Sequence, residues 1–103
     1  MYIAEVIGVV IATRKTDNMQ GLALRLVRRM TAEAQPTDVY AVAVDVVGAD
    51  EGELVLVAAG SSARQTHLTD ARPVDAVIMA VVDTWQVLDQ VKYQKDAPLA
   101  ASG

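Results

Sequence analysis

The residues that invite a catalytic interpretation lie in one short segment, Gly60-Ser61-Ser62-Ala63-Arg64, with His67 close behind it. A serine, an imidazole and a nearby carboxylate are the parts of a nucleophilic hydrolase site. The sharp turn that exposes such a serine follows the pattern Gly-x-Ser-x-Gly, but Arg64 occupies the place of the last glycine. We therefore interpret the two serines as turn residues, and we expect one of them to cap a helical turn within residues 61–68.

The chain offers little for binding a metal or a cofactor. It has one histidine and no cysteine, so a cage of imidazoles and thiolates for a transition metal is excluded. The acidic turn Asp50-Glu51-Gly52-Glu53 lacks the spacing of a calcium loop and is interpreted as a solvated turn. We predict no catalytic residue, no metal site and no cofactor. The absence of cysteine also suits a reducing cytosol.

Charge and aromatic content argue against nucleic-acid binding. Acidic residues outnumber basic ones by 13 to 9, so the net charge of −4 opposes a phosphate backbone. Arg25, Arg28 and Arg29 straddle both faces of one predicted strand end rather than lining a groove. We expect them to pair with acidic residues of a neighbouring strand or subunit. Trp85 and three tyrosines are too few for a base-stacking platform.

Short apolar runs separated by turn residues predict an all-β chain. The predicted strands cover residues 2–12, 22–27, 39–47, 54–59, 74–82 and 90–94. Gly8 interrupts the first of them and predicts a bulge or a close backbone approach. The stretch 74–88 also shows helical spacing, but its β-branched pairs favour a strand, which we allow to run as far as residue 88. Residues 31–38 are predicted to form a loop.

These strands predict a small barrel or sandwich with more apolar surface than one core absorbs. Hydrophobic residues make up 52% of the chain, and the strands at 2–12, 54–59 and 74–82 are apolar on both faces. Such a surplus is typical of a subunit interface, although loops or the chain's tail would cover it equally well. The apolar runs are too short to span a bilayer, and residues 1–5 lack the basic start of a signal peptide.

A family resemblance is carried by two glycine-bounded turns around one strand. Residues 47–56 read Val-Gly-Ala-Asp-Glu-Gly-Glu-Leu-Val-Leu, and Gly60-Ser61-Ser62-Ala63-Arg64-Gln65 follows. Pro73-Val74-Asp75, the run 78–83, the opening run 7–13 and the strand 22–27 continue the pattern. In this order the chain resembles the EutN/CcmL family of bacterial microcompartment vertex proteins over about residues 2–95. The turn departs from the family's Gly-Ala-Gly, since Asp50 takes the third place; aspartate tolerates left-handed backbone better than most residues.

The resemblance implies a five-stranded barrel related to the OB-fold that assembles as a cyclic pentamer. Such a ring would cap the five-fold corners of a cytoplasmic microcompartment shell, with itself and hexameric or pseudohexameric shell proteins as partners and neither nucleic acid nor membrane. The alternative is an OB-like module that binds an oligonucleotide or an oligosaccharide. Residues 96–103 are expected to form a flexible tail.

The same resemblance places Gly60 to Arg64 near the five-fold axis, where they line a pore or a subunit interface. Gly48, Asp50 and Gly52 form the neighbouring turn. Arg64 is expected to bridge to an adjacent subunit; an intrachain cap of its own turn is the alternative. For the serines, the alternative to pore lining is packing within one subunit.

Overall fold

The computed structural model describes residues 1–70, 72 and 74–95, so the expected tail at 96–103 lies outside the described residues. Within these described residues, seven strands and two short 3₁₀ helices follow one another. In chain order the strands are β1 (Tyr2–Val10), β2 (Leu24–Met30), β3 (Pro36–Asp45), β4 (Leu54–Ala59), β5 (Ala76–Val81), β6 (Thr84–Val87) and β7 (Gln90–Gln94). The 3₁₀ helices are η1 (Asp17–Met19) and η2 (Gly60–Arg64).

Five of the strands close into a barrel in the order β1-β2-β3-β5-β4, which confirms the predicted five-stranded barrel. Neighbours pair antiparallel except β3 and β5, which run parallel where Val44 lies opposite Val77. β6 and β7 form a separate two-stranded hairpin. The register of β1 shifts between Val6 and Gly8, so Gly8 marks a bulge, as predicted.

The barrel interior is filled by small and β-branched side chains, because the chain has no Phe. The fully buried members of this core come from all five strands and from the turn after β3: Ala4, Val6, Val27, Ala43, Ala49, Val55, Val57 and Ile78. Interior residues alternate with outward-facing ones along each strand, as the pleat requires.

A second apolar cluster lies on the outside of the barrel, between the sheet and η2. Its buried members are Leu22, Val44, Ala58, Ala63, Val74 and Val77. Part of the surplus apolar surface of β4 and β5 is therefore covered within one chain, as the alternative prediction held. On the outer face of β3, by contrast, Tyr40 and Val42 are 49% and 48% exposed.

Three expectations about bounds need correction. β3 begins at Pro36 inside the predicted loop 31–38, because a proline is tolerated as the first residue of a strand, where its missing donor costs no ladder hydrogen bond. The stretch 74–88 is a strand, not a helix, but it breaks after Val81 into β5 and the hairpin strand β6. The helical turn begins at Gly60 and ends at Arg64 instead of covering 61–68.

Candidate functional site

The two serines of η2 are exposed and do not take part in a catalytic arrangement. The N-cap of η2 is Ala59, without a side-chain hydrogen bond, so the prediction that Ser61 or Ser62 caps the helix is wrong. Among the described residues neither serine hydroxyl has a hydrogen-bond partner. A cleft of about 230 Å³ beside η2 is lined by Arg64, Gln65, Thr66, His67 and Asp70, and neither serine lines it.

η2 is held against the start of β5 by two contacts. The backbone N–H of Gly60, which has a φ of 63°, donates to the carbonyl oxygen of Asp75 at 2.9 Å. Arg64 donates from Nη1 to the carbonyl oxygen of Val74 at 3.2 Å. Arg64 thus has an acceptor within the chain, outside its own turn. This bond uses only one of its guanidinium N–H groups, so the bridge to a second subunit stays a prediction. Between these contacts Ala63 is fully buried, so its small size fits the space under the helix.

The turn after β3 is organised by a buried carboxylate that the sequence patterns did not single out. Asp45 accepts hydrogen bonds from the backbone N–H groups of Val47, Gly48 and Ala49 at 3.0, 2.9 and 2.9 Å. Its side chain is 1% exposed, and Arg25 Nε lies 3.3 Å from its Oδ2. The signal in the sequence was an aspartate shortly before a glycine turn, since such side chains hydrogen-bond to the backbone that follows them.

The positive φ values of this turn belong to its glycines. Gly48 and Gly52 have φ of 77° and 89°, whereas Asp50 is not among the positive-φ residues. The expected use of aspartate's tolerance for left-handed backbone is therefore wrong, and Asp50 fits the third position with ordinary backbone. Its N–H donates to Glu53 Oε1 at 2.7 Å. That bond and Lys95, 2.7 Å from Oε2, hold the pKa of Glu53 below its ordinary value.

The three arginines of β2 have different surroundings. Arg25 pairs with the carboxylate of Asp45, as predicted. Arg28 lies over the ring of Tyr40, 5.2 Å from its centroid, and Arg29 lies over Tyr2 at 4.8 Å. Within the chain these two make cation–π contacts, and their pairing with acidic residues of a neighbouring subunit stays a prediction. Burial raises the pKa of Tyr2, Asp75 adds to that rise and Arg29 opposes it.

The described residues offer neither a metal cluster nor a membrane helix. Within residues 1–70, 72 and 74–95, no group of three or more His, Asp or Glu side chains is arranged to hold a metal ion. In the same part of the chain there is no helix with the length and apolar character needed to cross a bilayer. The arrangement is suited to contact with another protein. The outer face of the barrel has exposed apolar and cationic side chains, and η2 is a short helix of mostly small residues.

Comparisons with known proteins agree with this geometry. The family model described as "Ethanolamine utilisation protein EutN/carboxysome" matches residues 1–83. The carboxysome shell vertex protein CcmL of Synechocystis sp. is 43% identical over 95 residues, covering 92% of this chain and 95% of the relative. The structure of Gloeobacter violaceus CcmL superposes with a TM-score of 0.91 at 38% identity, covering 94% of this chain and all of the other.

A further solved structure is that of GrpN from Rhodospirillum rubrum, described as a pentameric microcompartment shell protein. It superposes with a TM-score of 0.79 at 41% identity and covers 85% of this chain and all of the other. A family model that matches most of the chain, and relatives of this identity over nearly their whole length, identify the family. The chain belongs to the EutN/CcmL family.

Proposed function

We propose that this chain is a structural vertex protein of a bacterial microcompartment shell, and that five copies form the ring that closes each five-fold corner. The observation that carries the proposal is the match, over nearly the whole chain, to proteins named shell vertex proteins, one of them solved as a pentamer. The exposed apolar wall of β2 and β3 supports it, because a subunit interface needs such a surface. In this proposal the activity is closure, not catalysis.

The ring acts by its symmetry. A ring of five introduces curvature into a layer of six-fold tiles, which allows flat facets to meet at a corner. Hexameric or pseudohexameric shell proteins are therefore the proposed neighbours, and they would contact the outer rim of the ring. We further propose that Gly60, Ser61, Ser62, Ala63 and Arg64 lie towards the five-fold axis, where unpartnered serine hydroxyls would suit a narrow polar opening. A ring structure with both serines far from the axis would contradict that placement.

The unit that assembles is proposed to be residues 2–95, with the hairpin as part of it. Trp85 Nε1 donates to the carbonyl oxygen of Ala32 at 2.7 Å, Lys92 pairs with Glu33, and Lys95, just after β7, pairs with Glu53, so the hairpin is attached to the rest of the chain by several contacts. A chain that ends at Lys95 is expected to assemble as the full chain does. Loss of assembly in that truncation would assign a role to residues 96–103.

Light scattering after size exclusion tests the ring directly. The expected mass is five times the 11.0 kDa of one chain. A stable hexamer would change the symmetry alone, whereas a monomer at micromolar concentration would overturn the proposal. A mobility-shift titration with single-stranded DNA at low salt tests the alternative binding module, for which salt-sensitive binding would be required.

The cellular test is deletion of the gene in its host. Shells are expected to become elongated, open or leaky, while the enclosed enzymes stay active in extracts. Closed shells of normal shape, in a strain without a second vertex protein, would contradict the role in closure.

A further inference from the structure

Arg28, on the outer face of the barrel, has a buried N–H group without a hydrogen-bond acceptor in the described part of the chain. The Nε of Arg28 is buried and has no hydrogen-bond partner among the described residues. The ion pairs in that part of the chain are Arg25–Asp45, Lys92–Glu33 and Lys95–Glu53, so Arg28 has no carboxylate within 4.0 Å. A buried donor without an acceptor costs free energy. Nη1 and Nη2 of Arg28 are not among the buried unpaired atoms of the described residues, so an acceptor from outside the chain would bind the guanidinium there.

The surroundings of Arg28 resemble the centre of a protein interface. Leu26 lies opposite Val42 and Arg28 lies opposite Tyr40, in two adjacent pairs on the outer face of β2 and β3. We call these four residues the β2–β3 outer patch. Tyr40 and Val42 are about half exposed, and Leu26 is half-buried. Arginine and tyrosine beside aliphatic side chains are the composition of interface hot spots.

The hairpin tip carries the complementary feature. β6 and β7 are joined by Leu88 and Asp89, with φ of 50° and 67°. Both central residues of such a turn need positive φ, for which Asn-Gly or Asp-Gly is the favoured sequence. Leucine is a poor choice there, and its side chain is 93% exposed. Among the described residues no side chain covers Leu88, whereas another molecule that buries it would compensate the strain and the exposure.

The hairpin is attached beside the same end of β2 and β3 at which the pair Arg28–Tyr40 lies. The hairpin is anchored on the β2–β3 loop, where Trp85 donates to Ala32 and Lys92 pairs with Glu33 at 2.9 Å. The pair Arg28–Tyr40 lies near the strand ends that the same loop joins. Two different patches of one subunit join copies head to tail, and such contacts form a ring when the rotation closes.

We propose that the hairpin tip of one copy docks on the β2–β3 outer patch of the next copy in the ring. Leu88 packs against Leu26 and Val42, and the Asp89 carboxylate accepts hydrogen bonds from Arg28. The occupant is a second copy of this chain because one surface carries the unpaired cation and the other carries an exposed leucine beside an exposed carboxylate. The inference rests on the proposed pentamer and adds to it the residues that select the neighbour.

A charge exchange tests the pair. Sedimentation velocity over a dilution series gives the concentration at which half of the rings dissociate. Arg28→Asp and Asp89→Arg are each expected to raise that concentration at least about tenfold, because like charges then face each other. The double variant carries the reversed pair at every interface and should regain most of the loss. The matched control is Arg14→Asp, which reverses the charge of an exposed arginine in the loop after β1. It should leave the concentration at which half of the rings dissociate unchanged.

Leu88→Asn separates docking from local strain, because the two effects have opposite signs. Asparagine accepts positive φ more readily than leucine, so an undocked hairpin would gain stability from this change. The docked model predicts weaker rings instead, whereas Leu68→Asn, at another exposed leucine, should leave them intact.

The outcomes distinguish this inference from the proposed function. Wild-type pentamers with unaltered dissociation in Arg28→Asp, or a double variant no better than the singles, overturn the docking and leave the vertex role standing. The same holds if Arg28→Asp keeps its pentamer and loses only its binding to hexameric shell tiles. A wild-type chain that is monomeric at every concentration overturns the proposed function itself.

Discussion

At the scale of single residues, Asp45 is the side chain on which the turn after β3 depends. Its buried carboxylate satisfies three backbone N–H groups and lies beside Arg25, so removing it leaves three backbone donors without their acceptor and Arg25 without its carboxylate. Breaking a buried, hydrogen-bonded ion pair costs about 3 kcal/mol or more. Asp45→Ala is therefore expected to lower the free energy of unfolding by about that amount, measured by urea denaturation at fixed protein concentration.

The control for Asp45 lies in the same turn. Asp50 is exposed and has ordinary backbone, so Asp50→Asn should change the free energy of unfolding by less than about 0.5 kcal/mol. Equal losses in the two variants would show that the turn depends on its overall charge rather than on the Asp45 carboxylate.

Glu53 gives the fold an acid-sensitive contact. Its pKa is held below the ordinary value of 4.5, first by the N–H of Asp50 and then by Lys95. A lowered folded-state pKa contributes stability that is present above the unfolded value and is lost as the pH falls through the folded value. Between about pH 6 and pH 3, the melting temperature of Glu53→Gln should fall less than that of the wild type. Parallel curves for the two proteins would rule this contact out as a source of acid sensitivity.

At the scale of elements, the strands with glycine at their borders were the most predictable. β4 has the predicted bounds, residues 54–59, because Gly52 and Gly60 both take positive φ just outside it. The start of β3 was not predictable, since Pro36 alone is as typical of a loop. Nor could periodicity show that η2 covers the outer side of β4 and β5, because a pattern within one segment does not show which segments pack against each other.

η2 provides the test at this scale. Ala63 is fully buried between the helix and the sheet, so Ala63→Leu forces extra carbon atoms into a filled space and should cost about 1–3 kcal/mol. Hydrogen exchange should show faster exchange at the Gly60 amide, which loses its acceptor if η2 moves away from Asp75. Amides near Arg28 and Tyr40, at the end of β2 and β3 away from the Ala63 cluster, should keep their protection. Ser62→Ala, one residue away and exposed, is the control.

At the scale of the whole molecule, the family pattern predicted the barrel, but composition and periodicity left barrel and sandwich open. The candidate site was less predictable. The residues proposed to select the neighbouring subunit are Arg28 with Tyr40 and Leu88 with Asp89. Their placement depends on cross-strand register and on the conformation of a hairpin turn. Neither is visible in a hydrophobic pattern, because a one-residue change of register moves every side chain to the other face.

If the ring is the folded unit, its stability must depend on protein concentration. Unfolding a pentamer releases five chains, so mass action makes each tenfold rise in concentration stabilise the folded state by about 1 kcal/mol per chain. For a domain of this size that is a rise in melting temperature of about 5 °C.

Calorimetric scans at about 5 and 50 μM should show this shift, with a second heating to establish reversibility and light scattering to establish the mass at both concentrations. If the unfolded chain aggregates, the transition will be absent from the second heating. A monomer would instead melt reversibly at the same temperature at both concentrations. Reversible melting that does not move with concentration would mean that the barrel folds alone, and that its apolar wall plays no part in its stability.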